Sequence, residues 1–378
     1  MRNFQIYETN RAYIRGLNPA VLRAKLIKKI SKISAGGLHS LALRSDGYVL
    51  GCGYNYTGQL GDNSSATRQT FVQSIGVSNA IAISAGYSSS QALRSDGLVF
   101  ACGYNNHGQL GDGTTTLRST FVQSIGISNA VAISLGGSSS FALRSDGLVF
   151  ACGYNNYGQL GNGTTTQSST FIQSIVISNI VSISAGAGAT LALRSDGLVF
   201  ACGYNNSGQL GIGNTVNQST FVQAIGVSNV VAISCGGNFS LALRSDGLVF
   251  ACGINSGQLG DGTTVSKSTF VQSIGISNII AIATGASGFS LALRSDGLLF
   301  SCGGNGDGQL GDGTTISKST FVQSIGISNI IAISSGTYHA LAVRSDGQIF
   351  ATGYDLYLQL GNLSFYTNQS SFVQCIGV

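Results

Sequence analysis

The chain predicts an all-β protein, a single seven-bladed β-propeller with four antiparallel strands per blade and about 50 residues per repeat. Three observations carry this. The hexapeptide ALRSDG places its arginine at Arg44, Arg94, Arg144, Arg194, Arg244 and Arg294, and the variant AVRSDG at Arg344, giving seven copies at a spacing of 50. Around each copy lie four short runs rich in Val, Ile and Phe, bounded by Gly, Asn, Ser and Asp, which is the pattern of strands. Repeats of roughly 40–50 residues with four strands are the mark of a propeller blade, and seven lies within the usual ~4–8. The seven units fill 350 of 378 residues and leave 28 at the N-terminus, so a length that would otherwise imply two or three domains is read as one closed array. A solenoid is the alternative, and the polar loop in every unit favours radial closure.

Unit by unit the elements follow the same order. In the third unit, Ala130 to Ser134 is the first run, Ser140 to Ser145 the second, Leu148 to Gly153 the third and Thr170 to Ile175 the fourth. Ser-Asp-Gly between the second and third runs is a hairpin turn, with Asp bonding its own backbone and Gly supplying a positive φ. The loop from Gly103, GYNNHGQLGDGTT, resembles a phosphate cradle, but it recurs as GYNNYGQLGNGTT from Gly153 and GYNNSGQLGIGNT from Gly203. A phosphate loop needs a following helix and a Lys-Ser/Thr pair. Neither follows, so the loop reads as part of the blade. The period survives a one-residue deletion after Cys252 because one extra residue before Leu291 restores it.

Only 9% of residues are charged and 43% are hydrophobic, yet no apolar run approaches the ~20 residues that span a bilayer. Met1 is followed by RNFQIYETNRAYIRG, which is not the apolar core of a signal peptide. Cys52, Cys102, Cys152, Cys202, Cys252 and Cys302 occupy equivalent third-run sites, so they point the same way in successive blades and do not face one another as disulfide partners. Buried free thiols in an intracellular compartment, cytoplasm or nucleus, are the expectation. No close Cys set provides a metal site, and no cofactor motif is present.

Charge is concentrated at the start of the chain. Residues 1 to 32 carry eight bases, among them Arg23, Lys25, Lys28, Lys29 and Lys32, against Glu8 alone, whereas the remainder carries 11 bases and 13 acids. Residues 1–29 are therefore read as a basic arm, partly packed on a propeller of residues 30–378, and able to lie on nucleic acid or an anionic surface. Asn18 and Pro19 ahead of VLRAKLIKK fit the start of an amphipathic helix. The 50-residue period places the same stretch on a fourth-strand position, and both readings stand.

Two loops vary between units, the one after the first run and the long one between the third and fourth. Both fall at the same strand end and share one face of the disc, with the Ser-Asp-Gly turns on the other. That variable face offers Tyr56, Tyr87, His107, Tyr157, Phe239, Phe289, Tyr338, His339 and Tyr357 as candidate partner-binding residues, since aromatic side chains are favoured interface anchors. Packing between blades is the competing role for about half of them. On the opposite face each arginine of the repeat has an aspartate two residues on, a local charge pair and not a phosphate tract. Three histidines, one Glu and the absence of any unit with its own Ser-His-Asp or paired-carboxylate set leave no catalytic residues to nominate.

The stretch Gly37 to Gly61, GLHSLALRSDGYVLGCGYNYTGQLG, resembles the repeat of the regulator of chromosome condensation family, and the likeness extends over all seven units. It implies a seven-bladed propeller. The family's best-known member is the nucleotide exchange factor of the small GTPase Ran, which docks on chromatin through a basic N-terminal tail; other members are ligase modules, exchangers for other GTPases, or adaptors. This chain departs from the pattern at the family's third-strand Trp, replaced by Cys or by Thr352, and keeps the family's His only at His39 and His339. No unit departs from the period by more than one residue, which leaves no room for the wedge the Ran exchanger inserts into its GTPase. The expected function is a non-enzymatic protein-interaction scaffold. A guanine nucleotide exchange factor for a Ran-type small GTPase is the first alternative, and a nucleic-acid, chromatin or particle-coat protein using the basic arm is the second.

Overall fold

A computed structural model describes residues 29–363 and 366–377. The first blade is a meander of β1 (Ile30–Ala35), β2 (His39–Arg44), β3 (Val49–Gly53) and β4 (Arg68–Gln73), hydrogen-bonded in that order. Six more four-stranded sheets repeat it, from blade 2 (Ala80–Ala85 to Arg118–Gln123) to blade 7 (Ile330–Ser335 to Gln369–Gln374). In blade 3 the strands are Ala130–Leu135, Ser139–Arg144, Val149–Gly153 and Ser168–Gln173, within two residues of the expected starts and ends.

The Ser-Asp-Gly turn closes as its composition requires. Gly147 adopts φ +79°, its N–H bonds the Arg144 carbonyl at 3.0 Å, and Asp146 accepts from the Leu148 N–H at 3.3 Å. Strand periodicity is nevertheless hard to see, because all five residues of β3 and the first five of β2 are buried. Each blade is stacked between two others, so both faces of its middle strands are interior and the usual in-out alternation disappears.

The core therefore lies between blades. Leu41, Leu43 and Val49 of blade 1 pack on Ala80, Ala92, Phe100, Cys102 and Phe121 of blade 2. The ring closes by the same means, with Ala42, Leu50 and Phe71 against Leu341, Val343, Ile349 and Leu360 of blade 7. Among the described residues, all four strands of blade 7 come from one continuous stretch, and its junction with blade 1 is filled by this packing. The arm residues that the period aligned with a fourth strand, up to residue 28, lie outside the described residues.

A polar ring reinforces the closure. The Ser34 hydroxyl accepts from the Ala85 N–H of the next blade at 2.9 Å, Ser84 does the same for Leu135, Ser134 for Ala185, Ser184 for Cys235, and Ser334 returns to Ala35. All eight cysteines are free and buried. The Cys102 thiol points at the Gln59 carbonyl 3.5 Å away, and burial pushes the Cys235 thiol up to about 12.

Candidate interaction face

The GQLG loop is architecture. Asn105, fully buried, accepts the Leu110 N–H at 2.9 Å and donates through its Nδ2 to Asp112 and to the carbonyls of Thr114 and Thr116. One carboxamide thus ties a twelve-residue loop from within. The Gln109 carbonyl then accepts from Ser140 and Cys152 of the following blade, which makes the loop a strut between blades. Asp355 takes the asparagine's place in blade 7 and accepts the Leu360 N–H at 3.0 Å.

Both variable loops lie at one end of the blades, as the Tyr54 N–H bonded to the Leu38 carbonyl shows. There a belt of aromatic rings runs along the disc in two arcs. The first links Tyr338, Tyr354, Tyr357, Tyr54 and Tyr56 at centroid separations of 5.0–6.4 Å. The second links Tyr104, His107, Tyr154, Tyr157 and Tyr204 at 4.8–6.3 Å. Tyr357, His107 and Tyr157 each bridge one blade to the next. Such offset and edge-on pairs add ~0.5–1.5 kcal/mol each beyond the area they bury, so the belt is held rigid.

The candidates separate clearly in space. Tyr56 is 73% exposed, Tyr87 54%, Tyr338 38% and Tyr157 37%, while His107 and Tyr357 are half-buried within the belt. Tyr87 stands at the mouth of the central channel among the small residues of the inner loops. Phe239, Phe289 and His339 do not belong to the surface: they are 1%, 0% and 0% exposed. Each is the first residue of a second strand, opposite Gly253, Gly303 or Gly353, and turns into the junction between blades. Sequence variability marked them, but variability in a repeat protein also marks sites where different side chains fill equivalent interior space.

Five belt tyrosines escaped the sequence reading, Tyr54, Tyr104, Tyr154, Tyr204 and Tyr354, because they looked like constant scaffold. Their signal is the two blades that lack them, where Ile254 and Gly304 stand instead.

Charge on this face is paired within the long loops, Arg68 with Asp62 at 2.6 Å, Arg118 with Asp112 at 2.8 Å and Lys318 with Asp312 at 3.6 Å. Asp307, whose carboxyl burial raises above its ordinary value, accepts from Asn368 Nδ2 at 2.9 Å. On the opposite face every repeat arginine pairs with its aspartate, Arg194 Nη2 to Asp196 at 2.7 Å and Arg294 Nη2 to Asp296 at 2.8 Å for example. Each also lies over an aromatic ring, Arg144 at 4.9 Å from the Phe150 centroid. The hydrogen bond from Arg194 holds the Asp196 carboxyl below its usual range. Lys29 and Lys32 are exposed, and Lys29 Nζ donates to the Ser345 carbonyl at 2.9 Å beside that turn, so the chain enters the propeller on the face opposite the belt. Arg23, Lys25 and Lys28 lie outside the described residues. Among the described residues no group of His, Cys, Asp or Glu is arranged to hold a metal ion, and no helix is long and apolar enough to cross a membrane.

A family model described as the RCC1-like domain matches residues 120–375, and models of the regulator of chromosome condensation (RCC1) repeat match 30–59, 80–109 and 96–143. The chain belongs to the RCC1-like propeller family. Among solved structures, this propeller is similar to human WBSCR16, with a TM-score of 0.75 at 22% identity over 84% of this chain and 87% of that one. It is also similar to Prp20p of Saccharomyces cerevisiae, studied for binding to Gsp1p and histones, with a TM-score of 0.77 at 22% identity over 89% and 88% of the two chains. Yeast RCC1 (Prp20) bound to Kap60 superposes with a TM-score of 0.77 at 19% identity, over 100% of this chain and 90% of that one. These likenesses concern the fold. A search of curated proteins found no match to this RCC1-like chain.

Proposed function

We propose that this RCC1-like propeller is a non-enzymatic protein-interaction scaffold whose partner docks on the aromatic belt. The belt carries the reading: ten rings, half-buried to exposed, held by one another on the loop face of the disc. Rigid, amphipathic rings lose little conformational entropy on binding, and Tyr is enriched among the residues that dominate interface energy. The opposite face repeats one Arg-Asp pair seven times and, among the described residues, offers no comparable run of rings in contact. The test is affinity capture with the whole chain as bait, in parallel with a Tyr157→Ser, Tyr357→Ser double variant, followed by titration of each captured protein after purification. Partners of the scaffold bind the wild type and lose at least tenfold in affinity to the variant. An identical set of partners with identical affinities on both baits refutes the reading.

A second reading, nucleotide exchange on a Ran-type GTPase, draws support from the likeness to Prp20p, which binds Gsp1p. An exchanger acts by binding the nucleotide-free GTPase more tightly than the loaded one, and that requires a rigid, distinctive element. No unit here departs from the 50-residue period by more than one residue, so at most weak exchange is expected. Release of a fluorescent guanine nucleotide from Ran and a panel of small GTPases checks it, and strong acceleration by the wild type overturns the scaffold in favour of exchange.

A further inference from the structure

The two departures from the repeat period cancel in the sequence, and in the fold they meet. The deletion leaves blade 5 with Gly253-Ile254-Asn255-Ser256-Gly257 where blade 4 has Gly203-Tyr204-Asn205-Asn206-Ser207-Gly208. The insertion gives blade 6 an inner loop Gly285-Ala286-Ser287-Gly288-Phe289 where blade 5 has Gly236-Gly237-Asn238-Phe239. Ile254, Ser256 and Gln258 from the first face Ala286, Ser287 and Gly288 from the second across a notch of about 270 Å³. The aromatic belt is interrupted at this place, by Ile254 and Gly304.

Gln258 is the chemical centre of the notch. Four of its six equivalents, Gln59, Gln109, Gln159 and Gln359, have their Nε2 atoms sealed in the interior, Gln209 Nε2 reaches Asn238 Oδ1 at 3.4 Å, and Gln309, 4% exposed, lies beside Gly304 in the other blade that lacks a belt tyrosine. Gln258 is 3% exposed, and its Oε1 is taken by the Ser256 N–H at 2.5 Å. Its Nε2 lies 3.3 Å from where a Cβ on Gly288 would stand, so the inserted glycine, with no side chain, leaves that donor facing the notch. The remaining polar groups of the lining, Asn238, Ser256, Ser287 and Ser317, are all uncharged, and Ile254 and Ala286 provide its apolar surface.

We propose that this notch is a recognition pocket for an uncharged carboxamide, an Asn or Gln side chain with its flanking peptide group, on an extended segment of a partner protein. The proposal rests on reading this face as the protein-binding one. A charged group entering here meets no counter-charge and loses its hydration. A purely apolar one leaves the Gln258 donor unpaired. A carboxamide accepts from Gln258 Nε2 through its oxygen and donates to the Ser256 hydroxyl through its nitrogen. The volume falls just below the ~300–1,000 Å³ of small-molecule sites, which suits one side chain and a peptide bond and not a whole cofactor.

The test uses phage-displayed random heptapeptides selected on the full chain, with enriched peptides synthesised and titrated by fluorescence polarisation. Two variants are compared with the wild type. One restores the period by Ile254→Tyr with an Asn inserted after Asn255, together with Ala286→Gly, Ser287→Asn and deletion of Gly288; it uses loops the chain already folds in blades 4 and 5. The other, Gln258→Glu, keeps the acceptor for the Ser256 N–H and removes the donor. Enriched peptides share an Asn or Gln, bind both variants at least tenfold more weakly, and lose a similar factor on Asn→Asp or Gln→Glu in the peptide. Failure to enrich any peptide, or binding to the period-restored variant within twofold of wild type, overturns the pocket. Peptides lost on Tyr157→Ser, Tyr357→Ser but indifferent to the restored loops sink the pocket and leave the belt standing, and peptides indifferent to all of these sink both.

Discussion

Acid should destabilise this propeller well above the range in which its carboxylates titrate, through two buried histidines. His39 Nε2 lies 3.0 Å from the Ser90 hydroxyl, which itself donates to the Gln59 carbonyl at 2.6 Å. His339 Nε2 lies 2.9 Å from the Ser40 hydroxyl, which donates to the Gln359 carbonyl at 2.7 Å. Each hydroxyl has spent its proton, so each imidazole is the donor and is neutral with the proton on Nε2. Their Nδ1 atoms have no hydrogen-bond partner, and burial lowers both rings from 6.5 to about 3, His339 further through its neighbour His39. A ring that stays neutral when folded and charges when unfolded makes the unfolded state bind more protons below pH 6.5. The stability is present above pH 6.5 and is lost as pH falls toward 3. At pH 5 the loss is about 2 kcal/mol per histidine, or ~4 kcal/mol for the pair. At ~2.1 cal/mol/K of unfolding entropy per residue this lowers Tm by roughly 5 °C relative to pH 7.5.

The chain supplies its own control, since blades 5 and 6 carry Phe239 and Phe289 at the equivalent sites. Phe239 lies under Gly236 as His39 lies under Gly36, and behind it Ser290 still donates to the Gln258 carbonyl at 2.7 Å. His39→Phe, His339→Phe is therefore expected to be at least as stable as wild type at pH 7.5 and to lose the drop between pH 7.5 and 5, with each single variant losing half. Calorimetric Tm against pH reads this directly. A double variant that falls with pH as steeply as the wild type would refute the neutral, buried assignment.

Thiol titration of the native protein should find few reactive cysteines, and all eight after denaturation; ready reaction of most of them in the native state removes the third-strand thiols from the core. Phe171→Ala, which empties space 4% exposed beside Cys152 and Gly111, is expected to cost ~3–5 kcal/mol and lower Tm by several degrees in a thermal melt. We propose that the basic arm carries whatever affinity the chain has for nucleic acid or an anionic surface. Binding should weaken steeply with salt and vanish on deleting residues 1 to 17 or neutralising Lys25, Lys28, Lys29 and Lys32. Salt-independent binding by electrophoretic shift, or binding retained after the deletion, counts against it.

The fold was legible because the same solution is written seven times. Ser-Asp-Gly marks each hairpin, the spacing of Arg44 to Arg344 counts the blades, and the buried asparagine of each GQLG loop explains why so polar a stretch recurs. Those are local interactions, made within one unit. What the repeat does not reveal is which residues become neighbours across a junction. Phe239, Phe289 and His339 looked like surface variation, and only the stacking of blades turned them inward. The tyrosines of the constant GYN motif gained meaning only when His107, Tyr157 and Tyr357 proved to bridge them into a belt. The paired insertion and deletion, about 30 residues apart in the chain, became one notch because inner and outer loops of adjacent blades share an end. Ring closure sets Ala35 beside Ser334. A periodic sequence determines which positions are equivalent, and only a closed tertiary structure decides which ones touch.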